Sequence, residues 1–245
     1  MKNVIVAIAI ASTFALAQAA PVNSVSYASL SGGQIVDFDD LPAAGSSGTN
    51  YDTTFVSHGV AFGERFAGQS LSYSGDFDIL GNTASNTLSV IAGESARNTD
   101  LLSYNGSNVL TGLGNLGYPD FNAVGEGSFA GLFSSDQSQF GFQLVGGNGG
   151  DAFVSFFKRD GSLISTMTIS NLADGYYGFS RAGDVQDIAG ISIYNTDLGG
   201  IGFDNLKHDV ASNISAVPEP ETYAMLLAGL GIMGVVARRR KAAQV

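Results

Sequence analysis

Phe140-Gly141-Phe142-Gln143-Leu144, then Gly146-Gly147-Asn148-Gly149-Gly150, then Ala152-Phe153-Val154-Ser155-Phe156-Phe157-Lys158, decides the fold class. In the first block, apolar residues alternate with Gly141 and Gln143, so an extended chain puts Phe140, Phe142 and Leu144 on one face. The glycine block reads as a turn between two strands. A phosphate cradle would need a helix after the glycines, and Phe153 to Phe157 is instead a strand-like run. Asp160-Gly161 marks a second hairpin turn leading into Ser162 to Ile169. Ile188 to Tyr194 and Gly200 to Leu206 add two further strands.

Toward the N-terminus the same texture continues in shorter pieces. Gln34 to Asp39, His58 to Phe62, Phe77 to Leu80 and Thr87 to Ile91 are strand candidates, with a Gly/Ser-rich loop from Pro42 to Asp52. Gly93 to Glu126 is rich in turn residues and is expected to be an extended loop over a sheet edge or face. No helical pattern occurs between the two ends of the chain. The expected fold is all-β, a two-sheet antiparallel sandwich of jelly-roll-like type over residues 34–206. An N-terminal segment 20–33 precedes it and a linker 207–217 comes after it.

Composition narrows the function classes. Residues 20–217 hold twenty of the 22 Asp and Glu but only six of the 11 Lys and Arg, a net charge of −14. Phosphate backbones need basic patches, so no nucleic-acid partner is expected. There is no cysteine, which removes disulfides and thiolate chemistry. An acidic, disulfide-free β-domain suits an exported protein that must stay soluble.

Both ends support export. Lys2, the apolar stretch Val4 to Leu16 and the small-x-small site Ala17-Gln18-Ala19 have the layout of a signal peptide. Residues 1–19 are therefore expected to form a signal helix that is removed after Ala19. The C-terminus reads Ala216-Val217-Pro218-Glu219-Pro220-Glu221-Thr222, an apolar run from Tyr223 to Ala237, and Arg238-Arg239-Arg240-Lys241. As a helix, residues 223–237 would span roughly 22 Å at about 1.5 Å per residue. That is short for a hydrocarbon core of about 30 Å, but tilt, thinning and the long basic stems can offset the deficit. The basic stop should stay cytoplasmic, leaving the body outside. Pro218 and Pro220 hold their surroundings extended, as a processing cleft requires.

These three parts, in this order at residues 218–241, resemble the PEP-CTERM sorting signal of bacterial surface proteins. The resemblance implies that Pro218, Glu219 and Pro220 are recognised by an exosortase, which removes the transmembrane helix 223–237 and its basic stop. The mature chain, anchored transiently in the inner membrane, would then reach the cell surface or extracellular matrix, in association with extracellular polysaccharide or biofilm. Phe140-Gly141-Phe142, the Gly146 to Gly150 loop, Phe156 to Gly161 and Gly202-Phe203-Asp204-Asn205-Leu206 resemble the lectin-like sandwich domains found upstream of such tails.

Several residue sets suggest chemistry in the body. Val36-Asp37-Phe38-Asp39-Asp40-Leu41 opens the domain and Gly202 to Leu206 closes it. If the first and last strands pair, Asp37, Asp39 and Asp204 are candidate ligands of a structural calcium, with Asp40 and Asn205 as extra oxygens. Asp76 and Asp78 share spacing but lack an EF-hand loop, and are expected on an exposed strand edge. Tyr104, Tyr118, Phe121, Tyr176 and Tyr177 lie in or near turns, where flat rings can stack on sugars. This makes a calcium-dependent glycan-binding module the alternative reading. A secreted hydrolase is third. No spacing selects a pair of catalytic acids, and a serine triad would rest on His58 alone, so a non-enzymatic role is expected.

Overall fold

The computed structural model describes residues 20–43 and 48–209. The expected signal helix 1–19, the motif Pro218 to Pro220, the helix 223–237 and the basic stop 238–241 lie outside the described residues. The strands are β1 (Val22–Val25), β2 (Gln34–Val36), β3 (Thr49–Tyr51), β4 (Phe55–Ser57), β5 (Val60–Gly63), β6 (Arg65–Phe66), β7 (Leu71–Ser74), β8 (Phe77–Leu80), β9 (Val90–Ile91), β10 (Thr99–Tyr104), β11 (Ser107–Gly112), β12 (Phe129–Gln137), β13 (Gln139–Asn148), β14 (Asp151–Phe157), β15 (Leu163–Ser170), β16 (Ala173–Arg181), β17 (Ile188–Asn195) and β18 (Gly202–His208). The described body is all-β, and its strand pairs are antiparallel.

Two large sheets carry the fold. The eight-stranded sheet runs β1-β16-β13-β18-β11-β10-β3, with β2 also pairing β18, and the six-stranded sheet runs β15-β14-β17-β12-β5-β4. Alternation along β13 sends Phe140, Phe142 and Leu144 into one buried cluster. There they meet Phe179, Phe203 and Leu206 of their own sheet and Phe129, Phe156 and Ile191 of the other. Rings cross the interface directly: Phe129 and Phe203 lie 4.8 Å apart edge-to-face, and Phe156 and Phe179 lie 5.3 Å apart. Each such pair adds about 0.5–1.5 kcal/mol beyond the area it buries.

The second face of the six-stranded sheet is also covered. Phe66, Leu88, Ala130, Phe157 and Ala189 form a smaller apolar cluster there. The two-stranded ribbon β6-β9 and the hairpin β7-β8 belong to this covering segment, and Gln69 reaches from it to Ser192 of β17 at 3.1 Å. Asp78, expected at an exposed edge, is instead buried. The backbone N–H and hydroxyl of Ser128 donate to it at 3.0 and 3.2 Å. The correction comes from the extra layer, which turns one face of β8 inward.

Three expectations from sequence change in detail. His58 to Phe62 is not one strand, because His58-Gly59 form the turn between β4 and β5, with φ of 46° and 81°. Thr87 to Ile91 shortens to β9. Gly93 to Glu126 is not simply a loop: it contains the hairpin β10-β11, closed by Asn105-Gly106 at φ of 51° and 88°. That is the backbone an Asn-Gly pair adopts most readily. The sheet also takes in β1 from the segment read as N-terminal, and β18 continues to His208.

Candidate functional site

The strand read from sequence at Gln34 does pair the last strand, β2 with β18, with Leu206 opposite Val36, while β1 ahead of it pairs β16. It brings Asp37 and Asp39 of the β2 turn toward Asp204, and one oxygen of each already accepts a backbone N–H. Asp204 Oδ2 accepts from Ser107 Oγ at 3.0 Å and from Asn205 Nδ2 at 3.1 Å, and its Oδ1 accepts from the Asn205 N–H at 2.6 Å. Asp39 Oδ1 accepts the Asn108 N–H at 2.9 Å, and Asp37 Oδ1 accepts the Asp39 N–H at 3.2 Å. Burial holds the Asp204 carboxyl above the usual carboxylate range. The Asn205 and Ser107 hydrogen bonds oppose that shift, and the charges of Asp39 and Asp37 add to it. Calcium needs six to eight oxygen ligands. Among the described residues no group of three or more His, Cys, Asp or Glu side chains is arranged to hold a metal ion. Asp37, Asp39 and Asp204 are thus not gathered into one metal-ligating set among the described residues.

Ser57, His58 and Asp40 also meet, but not as a nucleophile and base. Ser57 is fully buried and donates to Asp40 Oδ1 at 2.6 Å. The same imidazole nitrogen, Nδ1, faces Ser57 at 3.1 Å, Asp40 at 3.6 Å and Asp37 at 3.9 Å. A triad uses opposite ring nitrogens for the nucleophile and the carboxylate.

The aromatic candidates divide between places. Tyr177 faces inward, 5.7 Å from Phe142, while its hydroxyl donates to the Ala173 carbonyl at 2.9 Å. Tyr176 faces out and pairs with Tyr27 at 5.0 Å. Tyr104 and Phe121 converge on one cleft of about 550 Å³, which Tyr118 does not line.

Strand alternation builds the floor of this cleft. Leu110 of β11 and Phe203 of β18 point into the core, so their neighbours Val109 and Gly202 point out from the larger sheet. Leu102, Thr111 and Val145 complete the floor. A side chain at Gly202 would collide with Val109 Cγ1, so glycine there keeps the floor open. One wall is Val124-Gly125, tied to the opposite wall by the Ile201 N–H donating to the Gly125 carbonyl at 3.1 Å. At the rim Phe121 is 74% exposed and Leu198 84% exposed, values large enough to mark rings and chains with no intramolecular cover. Phe121 sits in a short 3-10 turn capped by Asp120, whose Oδ1 accepts the Asn122 N–H at 3.0 Å.

Glu126 is the one carboxylic acid among the lining residues. It is almost fully buried, and its Oε2 has no hydrogen-bond partner among the described residues. Burial, then the charges of Asp76 and Asp120, push its pKa up to about 7. Near neutral pH it is therefore part protonated and can donate a hydrogen bond. Glu126 does not stand out in the sequence. Nothing about an isolated acid in a glycine-rich loop marks it, whereas Asn105-Gly106 is a legible signal for the hairpin that carries Tyr104.

Beyond Asp209, outside the described residues, the chain continues into its Pro-Glu-Pro, apolar and basic segments. Residues 216–241 match the PEP-CTERM protein-sorting motif. The sorting motif covers only the tail. It marks the chain for export and membrane-transit sorting toward the cell surface, with an exosortase as the enzyme that recognises such tails. No curated protein matches the chain. Among the described residues no helix is long and apolar enough to cross a membrane.

Proposed function

We propose that this exported chain is an extracellular-matrix or cell-surface protein whose β-body, lectin-like in its jelly-roll-like arrangement, associates with extracellular polysaccharide through the cleft on the larger sheet. The observation that carries the reading is the pair of outward aromatic rings, Tyr104 and Phe121, over an apolar floor. Pyranose rings present C–H faces that pack on flat aromatic and aliphatic surfaces, while their hydroxyls take hydrogen bonds from the rim. A single carboxylic acid in the cleft favours binding over hydrolysis, since glycosidases use two carboxyls on opposite sides of the scissile bond.

Release comes after sorting in this scheme. An exosortase recognises Pro218, Glu219 and Pro220 while residues 223–237 and the basic stop Arg238, Arg239, Arg240 and Lys241 hold the precursor in the inner membrane. The body is then set free at the surface, in or near a biofilm matrix.

The test is co-sedimentation of the mature body with matrix polysaccharide from the producing cells. Wild type should bind saturably, and Tyr104→Ala with Phe121→Ala should lose most of that binding. Equal binding by the double variant overturns the cleft reading. An arm with EDTA tests the calcium-dependent form through Asp37, Asp39 and Asp204: binding unchanged by EDTA eliminates it.

A further inference from the structure

The outer face of the larger sheet does not end at the cleft. Three adjacent strands each place one residue in the cleft floor and, two residues along on the same face, a polar residue outside it. On β13 these are Val145 and Gln143, on β18 Gly202 and Asp204, and on β11 Val109 and Ser107. Gln143 and Asp204 lie directly opposite each other in the ladder. The polar residues form one network: Ser107 donates to Asp204 at 3.0 Å, and Asn205 Nδ2 donates to Asp204 at 3.1 Å and to Gln143 Oε1 at 2.8 Å.

A second aromatic platform borders this network on the side away from the cleft. Tyr176 of β16 is directly opposite Gln143 in the ladder and is 58% exposed, too open for a packing role. Its ring lies 5.0 Å from that of Tyr27, whose hydroxyl donates to the Asn205 carbonyl at 2.8 Å. Tyr27 is seated over Gly141, where any Cβ would fall 2.9 Å from the ring, and Lys207 stands 5.4 Å from the same ring. Along β13 the face thus reads apolar at Val145, amide at Gln143 and aromatic cover at Gly141, a distance of roughly 13 Å at about 3.3 Å per residue.

We infer that Gln143, Asn205 and Ser107, fixed in place by the buried Asp204, form with the Tyr27–Tyr176 pair a second sugar subsite continuous with the cleft, so that the ligand is an interior stretch of a linear glycan and not a chain end. This rests on the cleft reading for its ligand class. Two amides and a hydroxyl, held in fixed geometry by the carboxylate beneath them, match vicinal hydroxyls, which both donate and accept. The neighbouring tyrosine face supplies the apolar half of the recognition. Two such stations along one face bind cooperatively only when a single chain spans both, so affinity should depend on ligand length.

The experiment measures binding of oligosaccharides released from the same matrix polysaccharide by partial acid hydrolysis and separated by length. Isothermal titration against the wild-type body should give at least tenfold tighter binding for long fractions than for disaccharides. Tyr176→Ala, at an exposed position that leaves the fold intact, should weaken the long fractions five- to tenfold and leave the disaccharides unchanged, abolishing the length dependence. Gln143→Ala should do the same. Equal wild-type affinity for short and long fractions overturns the inference, as does a Tyr176→Ala variant that binds long fractions like wild type or weakens both classes equally. Failure of the cleft reading has a different signature, in which Tyr104→Ala and Phe121→Ala change neither class. Absence of binding by every fraction overturns both.

Discussion

Replacing Asp78 by asparagine should make the body more stable above pH 6 and leave it close to wild type below pH 4. Asp78 is 1% exposed, and burial is the main cause that raises its pKa from 3.8 to about 6, against the opposing hydrogen bonds of Ser128 and the charges of Arg65 and Arg97. The folded chain thus holds this proton more tightly than the unfolded chain does. Stability is highest below the unfolded pKa and falls as pH rises from 3.8 to about 6. Each tenfold difference in proton affinity between the two states corresponds to about 1.4 kcal/mol, so the loss approaches about 3 kcal/mol. Asparagine carries no charge and keeps an oxygen for the Ser128 donors, and the strength of those bonds to the ionised carboxyl is already contained in the shift. The net gain above pH 6 is then about 3 kcal/mol, a rise of about 6–12 °C in Tm for a domain of this size. Thermal unfolding of both proteins at pH 3.5, 5 and 7.5 measures it. Asp100, pushed up to about 6, and Glu126, pushed up to about 7, also make wild type less stable as pH rises, and the difference between the two proteins removes their share. A Tm difference that stays constant across the three pH values refutes the reasoning.

Other perturbations test separate parts of the molecule. Arg181 is 2% exposed and held by Asp187 through Nε at 2.6 Å and a terminal nitrogen at 2.8 Å, so Asp187→Ala should cost about 3–5 kcal/mol by urea unfolding. The double variant Arg181→Met with Asp187→Leu should recover most of that loss, because no buried charge is left unpaired. Gly106→Ala forces a side chain into φ of 88° and should cost about 1–2 kcal/mol in the same assay, while also loosening Tyr104 at the end of its hairpin. In the producing cells, Glu219→Ala or removal of Arg238 to Lys241 should leave membrane-bound precursor on immunoblots of fractionated extracts.

The β character of the body is legible wherever one face is buried and the other is not. Phe140, Phe142 and Leu144 announce β13 because period-two alternation survives in the sequence. The strands Phe129–Gln137 and Ala173–Arg181 give no such signal, although both are long. The run Phe129 to Phe133 on β12 is covered from both sides by other layers, which erases the alternation. On β16 the exposed Tyr176 and the inward Tyr177 are the same residue type, so type cannot tell the faces apart.

By itself, the sequence determined the destination of this protein and the class of its fold. A sorting signal is read as a linear peptide, so Pro218 to Lys241 carries its meaning without tertiary context, and strand periodicity is likewise local. Only the tertiary structure decided which residues work together. Asp204 gained Ser107 and Asn205 as donors, and Tyr104, Phe121 and Glu126 came to one cleft. Those groupings depend on which strands become neighbours and which face of each turns outward, and long-range pairing sets both.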